Sequence, residues 1–138
     1  MGPKSNLPQP DIVGRALERI GKKPLLDETC IVHRAFALLA DKWTLLVLLA
    51  LMHGRKRYSA LQRQIGGVSP KMLTQTLRAL EEHGLVEREV FPEVPPRVEY
   101  ALTDFGRTLS EPLASLCEWA VEHEGRLRAV LASERSRG

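Results

Sequence analysis

The stretch from Ser59 to Gly84 constrains the fold most, because it holds two short helical segments separated by a pair of glycines. The first is expected over Ser59 to Ile65 and is stopped by Gly66 and Gly67. Val68 then leads into Ser69-Pro70, and serine is a favoured helix cap while proline suits the first helical position. The second segment is therefore expected from about Pro70 to His83, ending at Gly84. A short helix, a glycine turn and a capped helix make up the helix-turn-helix arrangement. Such a pair needs a core behind it. Ala35, Phe36, Leu38, Leu39 and Trp43 recur at helical spacing, and Trp43 to Met52 is apolar on nearly every side, as a central buried helix requires.

Beyond Gly84 the periodicity changes. Residues from Leu85 or Val86 to Phe91, and again from Arg97 to Leu102, alternate in character around the loop Pro92-Glu93-Val94-Pro95-Pro96, which predicts a β-hairpin with a proline-stiffened tip. A hairpin in this place is a wing. Thr103 is placed to cap one long final helix, on which Leu113, Leu116, Cys117, Ala120, Leu127 and Leu131 lie close to one stripe; Pro112 must sit near a helix start or kink it. The stripe outlasts a domain this small, so a second copy of the chain is the simplest surface to cover it. Ser133 to Gly138 is expected to fray, and residues 1 to about 28, rich in proline and glycine, read as an arm with one short helix over Ile12 to Ile20. The expected organisation is an arm over 1–28, a winged helix-turn-helix domain with its dimerisation helix over 29–125, and a helix end and tail over 126–138. The fold class is mainly α with a small β-hairpin (α+β), with terminal helices joining a homodimer.

Several classes fall away. The longest apolar run, Leu45 to Met52, is far shorter than the roughly 20 residues of a membrane-spanning helix. Met1 to Pro10 has no apolar block behind a basic start, so it does not read as a secretory signal. Two cysteines do not make a disulfide scaffold, which leaves a cytoplasmic protein with reduced thiols as the default and no membrane partner. No phosphate-binding glycine loop, nucleophile motif or diagnostic carboxylate pair is present, so an enzyme is not expected and no cofactor is implied.

Formal net charge is only +3, so its placement carries more weight than its sum. From Arg55 to Arg78 there are six basic residues, Arg55, Lys56, Arg57, Arg63, Lys71 and Arg78, and no acidic one. Acids gather instead on the final helix, at Asp104, Glu111, Glu118, Glu122 and Glu124. An acid-free basic stretch around a helix pair points to a phosphate-facing surface and to double-stranded DNA as partner. On the Pro70 to His83 helix, Leu73, Leu77 and Leu80 share one side while Lys71, Thr74, Gln75 and Arg78 occupy the other. Arginine, lysine and glutamine are the side chains that read base edges in a major groove, although a solvated polar face has the same look. Ser69 and the free N–H groups of the first turn suit a phosphate, and Lys56 and Arg57 suit the backbone at large. On the wing, Arg97 is placed to reach phosphates or the minor groove with Arg88 assisting, while Glu93 opposes such contact; the prolines alone also explain a tight loop.

These residues also carry a family resemblance. Cys30, Leu39-Ala40-Asp41-Lys42-Trp43-Thr44-Leu45-Leu46, Arg57-Tyr58-Ser59-Ala60-Leu61, Val68-Ser69-Pro70-Lys71-Met72-Leu73-Thr74, Gly84-Leu85-Val86 and Pro92-Glu93-Val94-Pro95-Pro96-Arg97-Val98-Glu99-Tyr100 resemble the HxlR-type bacterial transcription regulators, relatives of the MarR group. The resemblance spans roughly Cys30 to Val121 and implies a homodimer of winged heads joined through terminal helices, acting as repressor or activator. Its inducer is not identified by any residue.

Cys30 precedes the first helix of the domain, where a helix start favours a thiolate, and several regulators of this kind use a cysteine at the matching position as an oxidant sensor. That family usually has proline next, whereas Ile31 follows here, and a buried structural cysteine is the competing reading. Cys117 lies on the apolar stripe as a small hydrophobe, with a role as the partner copy's resolving thiol as the alternative. Cys30 and His33 form a C-x-x-H pair, but no second pair at short spacing completes a zinc site, so no metal is assigned. A winged protein-interaction module and a metal-responsive regulator are the alternative functions.

Overall fold

The structure is a computed structural model that describes residues 10–20 and 30–137. The chain divides into two compact units, Met1–Asp41 and Lys42–Gly138. In the first, α1 (Pro10–Ile20) and α2 (Ile31–Leu39) are helical. The helix expected in the arm is thus present, and the rest of the arm lies outside the described residues. Cys30 is the N-cap residue of α2.

The second unit begins with α3 (Lys42–Leu51), which buries Val47, Leu48, Ala50 and Leu51. A helix apolar on most of its surface is stable in water only when other elements surround it. It packs against α4 (Tyr58–Gln64), which supplies Leu61, and α5 (Pro70–Glu82), which supplies Leu73, Leu77 and Leu80. Each fully buried leucine contributes on the order of 2 kcal/mol, so this layer is the main source of stability in the unit. Gly67, at φ +85°, makes the turn between α4 and α5, a left-handed conformation that glycine adopts without steric cost.

Strands β2 (Val86–Phe91) and β3 (Arg97–Leu102) form the expected hairpin, with Val86 opposite Leu102 and Phe91 opposite Arg97. Beyond the two strands of the expected hairpin, Lys56 and Arg57 form a third strand, β1 (Lys56–Arg57), with Lys56 opposite Tyr100 and Arg57 opposite Glu99. The sheet order is β1-β3-β2. Two residues are too few to show alternation, so only the pairing with β3 reveals this strand.

The single long final helix is also corrected. It is divided into α6 (Asp104–Arg107), α7 (Ser110–Glu122) and α8 (Glu124–Arg137). Thr103 caps α6, its Oγ1 accepting from the Gly106 N–H at 3.0 Å. The Thr108 hydroxyl donates to the Phe105 carbonyl at 2.5 Å, taking an acceptor that a continuous helix would use. Pro112 then falls in the first turn of α7, where its missing N–H costs nothing. The tail expected to fray from Ser133 stays helical through Arg137.

Where the hairpin closes, backbone meets backbone. The Thr103 N–H donates to the Leu85 carbonyl at 3.1 Å, the Thr103 hydroxyl donates to the Gly84 carbonyl at 2.6 Å, and Arg107 Nη1 donates to the Leu102 carbonyl at 3.0 Å. Gly106 is buried in this junction, and a Cβ there would stand 2.1 Å from the Leu85 oxygen.

Candidate nucleic-acid interface

The candidate reader is α5. Its start is fixed locally, with Ser69 Oγ accepting from the Met72 N–H at 3.1 Å and Pro70 at the first helical position. Leu73, Thr76, Leu77 and Leu80 are buried, so the helix can turn only one side outward, and Lys71, Thr74, Gln75 and Arg78 are exposed on it. The side chains of Lys71, Gln75 and Arg78 make no hydrogen bond or ion pair among the described residues. Their donors and acceptors are open to an incoming partner.

Thr74 differs from these three. The Tyr58 hydroxyl lies 3.0 Å from Thr74 Oγ1 and donates to the Pro70 carbonyl at 3.1 Å. Tyr58 opens α4 directly after β1, so this one side chain ties the sheet edge and α4 to the first turn of α5. Thr74 is thereby a strut as much as a reader. Tyr58 itself was missed in the sequence because a tyrosine at a helix start carries no signal until the facing helix is in place. Tyr58→Phe keeps the ring and removes both bonds, and is expected to cost about 1 kcal/mol of stability in urea unfolding. An unchanged midpoint would show that the tie is not needed.

The basic stretch is not uniform in effect. Arg55 lies 3.0 Å from Glu89, 3.7 Å from Glu87 and 3.7 Å from Glu99, so three wing carboxylates surround its charge. Arg97 Nη1 lies 3.1 Å from Glu93, its Nε lies 3.1 Å from Glu99 without hydrogen-bond alignment, and its guanidinium stacks 4.2 Å from the Phe91 ring. The wing arginine is therefore held within the wing by neighbours of opposite charge. Arg88 lies 3.7 Å from Glu81. Lys56, Arg57, Arg63, Lys71 and Arg78 have no carboxylate partner among the described residues, so within this stretch the uncompensated cations are those of β1, α4 and α5.

The thiols are both free. Cys30 is buried and its side chain makes no capping bond, while Cys117 is half-buried on α7. Among the described residues no three His, Cys, Asp or Glu side chains gather as a metal site. No described helix is long and apolar enough to cross a membrane.

The model of the HxlR-like helix-turn-helix family matches residues 38–127, which takes in α3, the helix pair, the wing and α7. The chain belongs to this family. An HTH-type transcriptional regulator of Methanothermobacter thermautotrophicus is 49% identical to this HxlR-like chain over 90 residues, covering 65% of this chain and 69% of the relative. Among solved structures, the transcriptional regulator YtfH from Salmonella typhimurium is 40% identical with a TM-score of 0.67, covering 81% of this chain and 97% of that one. The redox regulator HypR in its oxidized form is 38% identical with a TM-score of 0.64, covering 67% of this chain and 96% of that one. The HxlR-like chain is a transcriptional regulator with a winged helix-turn-helix domain, and its relatives are regulators rather than enzymes.

Proposed function

We propose that the chain binds double-stranded DNA as a homodimer in the cytoplasm, each copy laying α5 in a major groove of a near-palindromic operator. The observation that carries this reading is the outward side of α5, where Lys71, Gln75 and Arg78 stand exposed and uncommitted beside the unpaired cations of β1. The Met72 N–H is taken by Ser69 Oγ and Pro70 has none, so at the start of α5 the Ser69 hydroxyl hydrogen suits a phosphate, while Lys56 and Arg57 suit the flanking backbone. Two-fold symmetry sets the half-sites about 10 bp apart. Dimerisation is supported by Leu116 and Trp119 on α7 and Val130 and Leu131 on α8, large apolar side chains left exposed in the single chain. Arg97 reaches phosphate only by leaving Glu93 and Glu99, so its contribution is smaller than that of Arg57.

A titration against random duplex at two salt concentrations tests the reading. Steep weakening with salt supports it, whereas salt-insensitive or absent binding favours a protein-interaction module. Lys56→Gln and Arg57→Gln should each weaken binding to every sequence and lower the slope of log affinity against log salt by about 0.9. An unchanged slope would remove that residue from the phosphate contacts.

Control by oxidation through Cys30 is the second part of the reading, favoured by its place at the start of α2 and by the likeness to the redox regulator HypR. Operator affinity is to be measured before and after mild oxidation in wild type and Cys30→Ser. A response lost in the variant supports the switch, and an identical response in both excludes Cys30.

A further inference from the structure

A cleft of about 350 Å³ opens between the β1–α4 junction and the wing. Its walls include Arg57, Tyr58 and Ser59 on one side and Arg88 and Tyr100 on the other. Register explains the meeting: Arg88 and Tyr100 are directly opposed on β2 and β3, and Lys56, the neighbour of Arg57, opposes Tyr100 from the other edge. Tyr100 is only 8% exposed, yet its hydroxyl makes no hydrogen bond among the described residues. The ring is packed, but the hydroxyl oxygen is not among the buried unpartnered atoms, so it reaches solvent where Tyr100 lines the cleft and is open to a partner there. Burial pushes the Tyr100 hydroxyl above its usual range, with Arg88 and Arg78 pulling down and Glu81 and Tyr58 pushing up. The group therefore keeps its proton at neutral pH and serves as a donor.

The donor set decides the ligand class. Three arginines, Arg57, Arg88 and Arg97, and two tyrosines, Tyr58 and Tyr100, line the space, with the exposed Ser59 hydroxyl at its rim; Arg97 is already held by Glu93 and Glu99, which leaves Arg57 and Arg88 for a ligand. The acid beside Arg88, Glu81, is 3.7 Å from it and about as exposed as its partner, a surface pair too weak to hold the arginine from a competing anion. Arginine forks match the oxygen geometry of phosphate, and charge-assisted bonds to it are the strong kind. We propose that this cleft is a binding site for one phosphoryl group, held by Arg57, Arg88 and the Tyr100 hydroxyl. The phosphoryl comes either from the DNA backbone or from a free phosphate ester.

The first test needs no DNA, so its failure is separate from any failure of the DNA-binding reading. The chain holds two tyrosines, Tyr58 and Tyr100, and both line the cleft. Their ring resonances are followed by NMR as inorganic phosphate replaces chloride at constant ionic strength. Saturable shifts are expected in wild type, with a midpoint at least about tenfold higher in Tyr100→Phe and in Arg88→Gln. Circular dichroism shows whether each variant is folded. The proposal is overturned if wild type gives no saturable shift, or if both folded variants keep the wild-type midpoint.

Duplex binding then separates the two sources. If one neutral methylphosphonate per half-site weakens wild type but weakens Tyr100→Phe no further, the phosphoryl belongs to the DNA backbone. If phosphate instead displaces duplex from wild type but not from Tyr100→Phe, it belongs to a free ester.

Discussion

Gly106→Ala is expected to lower stability by at least about 3 kcal/mol, the upper range for forcing an atom into a packed site, and the melting midpoint by roughly 10 °C or more. The added Cβ would meet the Leu85 carbonyl oxygen at 2.1 Å and the carbon of the same peptide at 3.1 Å. Neither can give way cheaply. That oxygen already accepts from the Thr103 N–H, and the Leu85 N–H donates to the Leu80 carbonyl at 3.0 Å, so moving Leu85 disturbs the end of α5 and the start of the wing together. Duplex affinity should fall with stability because both proposed DNA-contacting elements meet at this junction. Thermal and urea unfolding check the first part. A midpoint within a few degrees of wild type would mean that the junction can relax, and that its bonds to Gly84, Leu85 and Leu102 are dispensable.

The largest effect on selectivity is expected from Arg78→Ala. Arg78 stands exposed on α5 without a carboxylate partner among the described residues, and a bidentate contact from arginine to guanine is worth about 1 to 3 kcal/mol of discrimination. Affinity for the preferred operator should fall by roughly 5- to 150-fold, with little change in stability. Binding to random duplex should change far less. Selection from a randomised duplex library would then show relaxed preference at one base pair of each half-site. Recovery of the wild-type consensus at every position would mean that Arg78 does not read bases.

Much of the fold was legible because its signals are local. The glycine turn, the Ser69-Pro70 cap and the alternation on both sides of the proline loop each act within a few residues, and the elements they mark lie at the expected places. What was not legible depends on residues far apart in the chain. β1 exists only because Lys56 and Arg57 meet Tyr100 and Glu99. Arg55 reads as an open cation, yet its acids arrive from β2 and β3, and Arg97, for which Glu93 is the expected opponent, is held by Glu99 of β3 as well. The candidate reader helix was legible as a two-faced cylinder, but the engagement of Thr74 by Tyr58 was not, since helical periodicity says nothing of the facing helix. The final helix was overextended because its apolar stripe runs past interruptions set by Thr108 and His123, neither of which is a strong helix breaker.

The Tyr58 tie bears on how a signal could act. Its hydroxyl pins the first turn of α5, and the residue before it belongs to the strand that pairs with the wing. Tilting α5 alone would break those bonds and strain the sheet edge, so helix and wing are geared together. An inducing event is then confined to moving the whole head as one piece, and in the proposed dimer induction should leave the chemical shifts within the α4–α5–wing block nearly constant while the separation of the two heads changes.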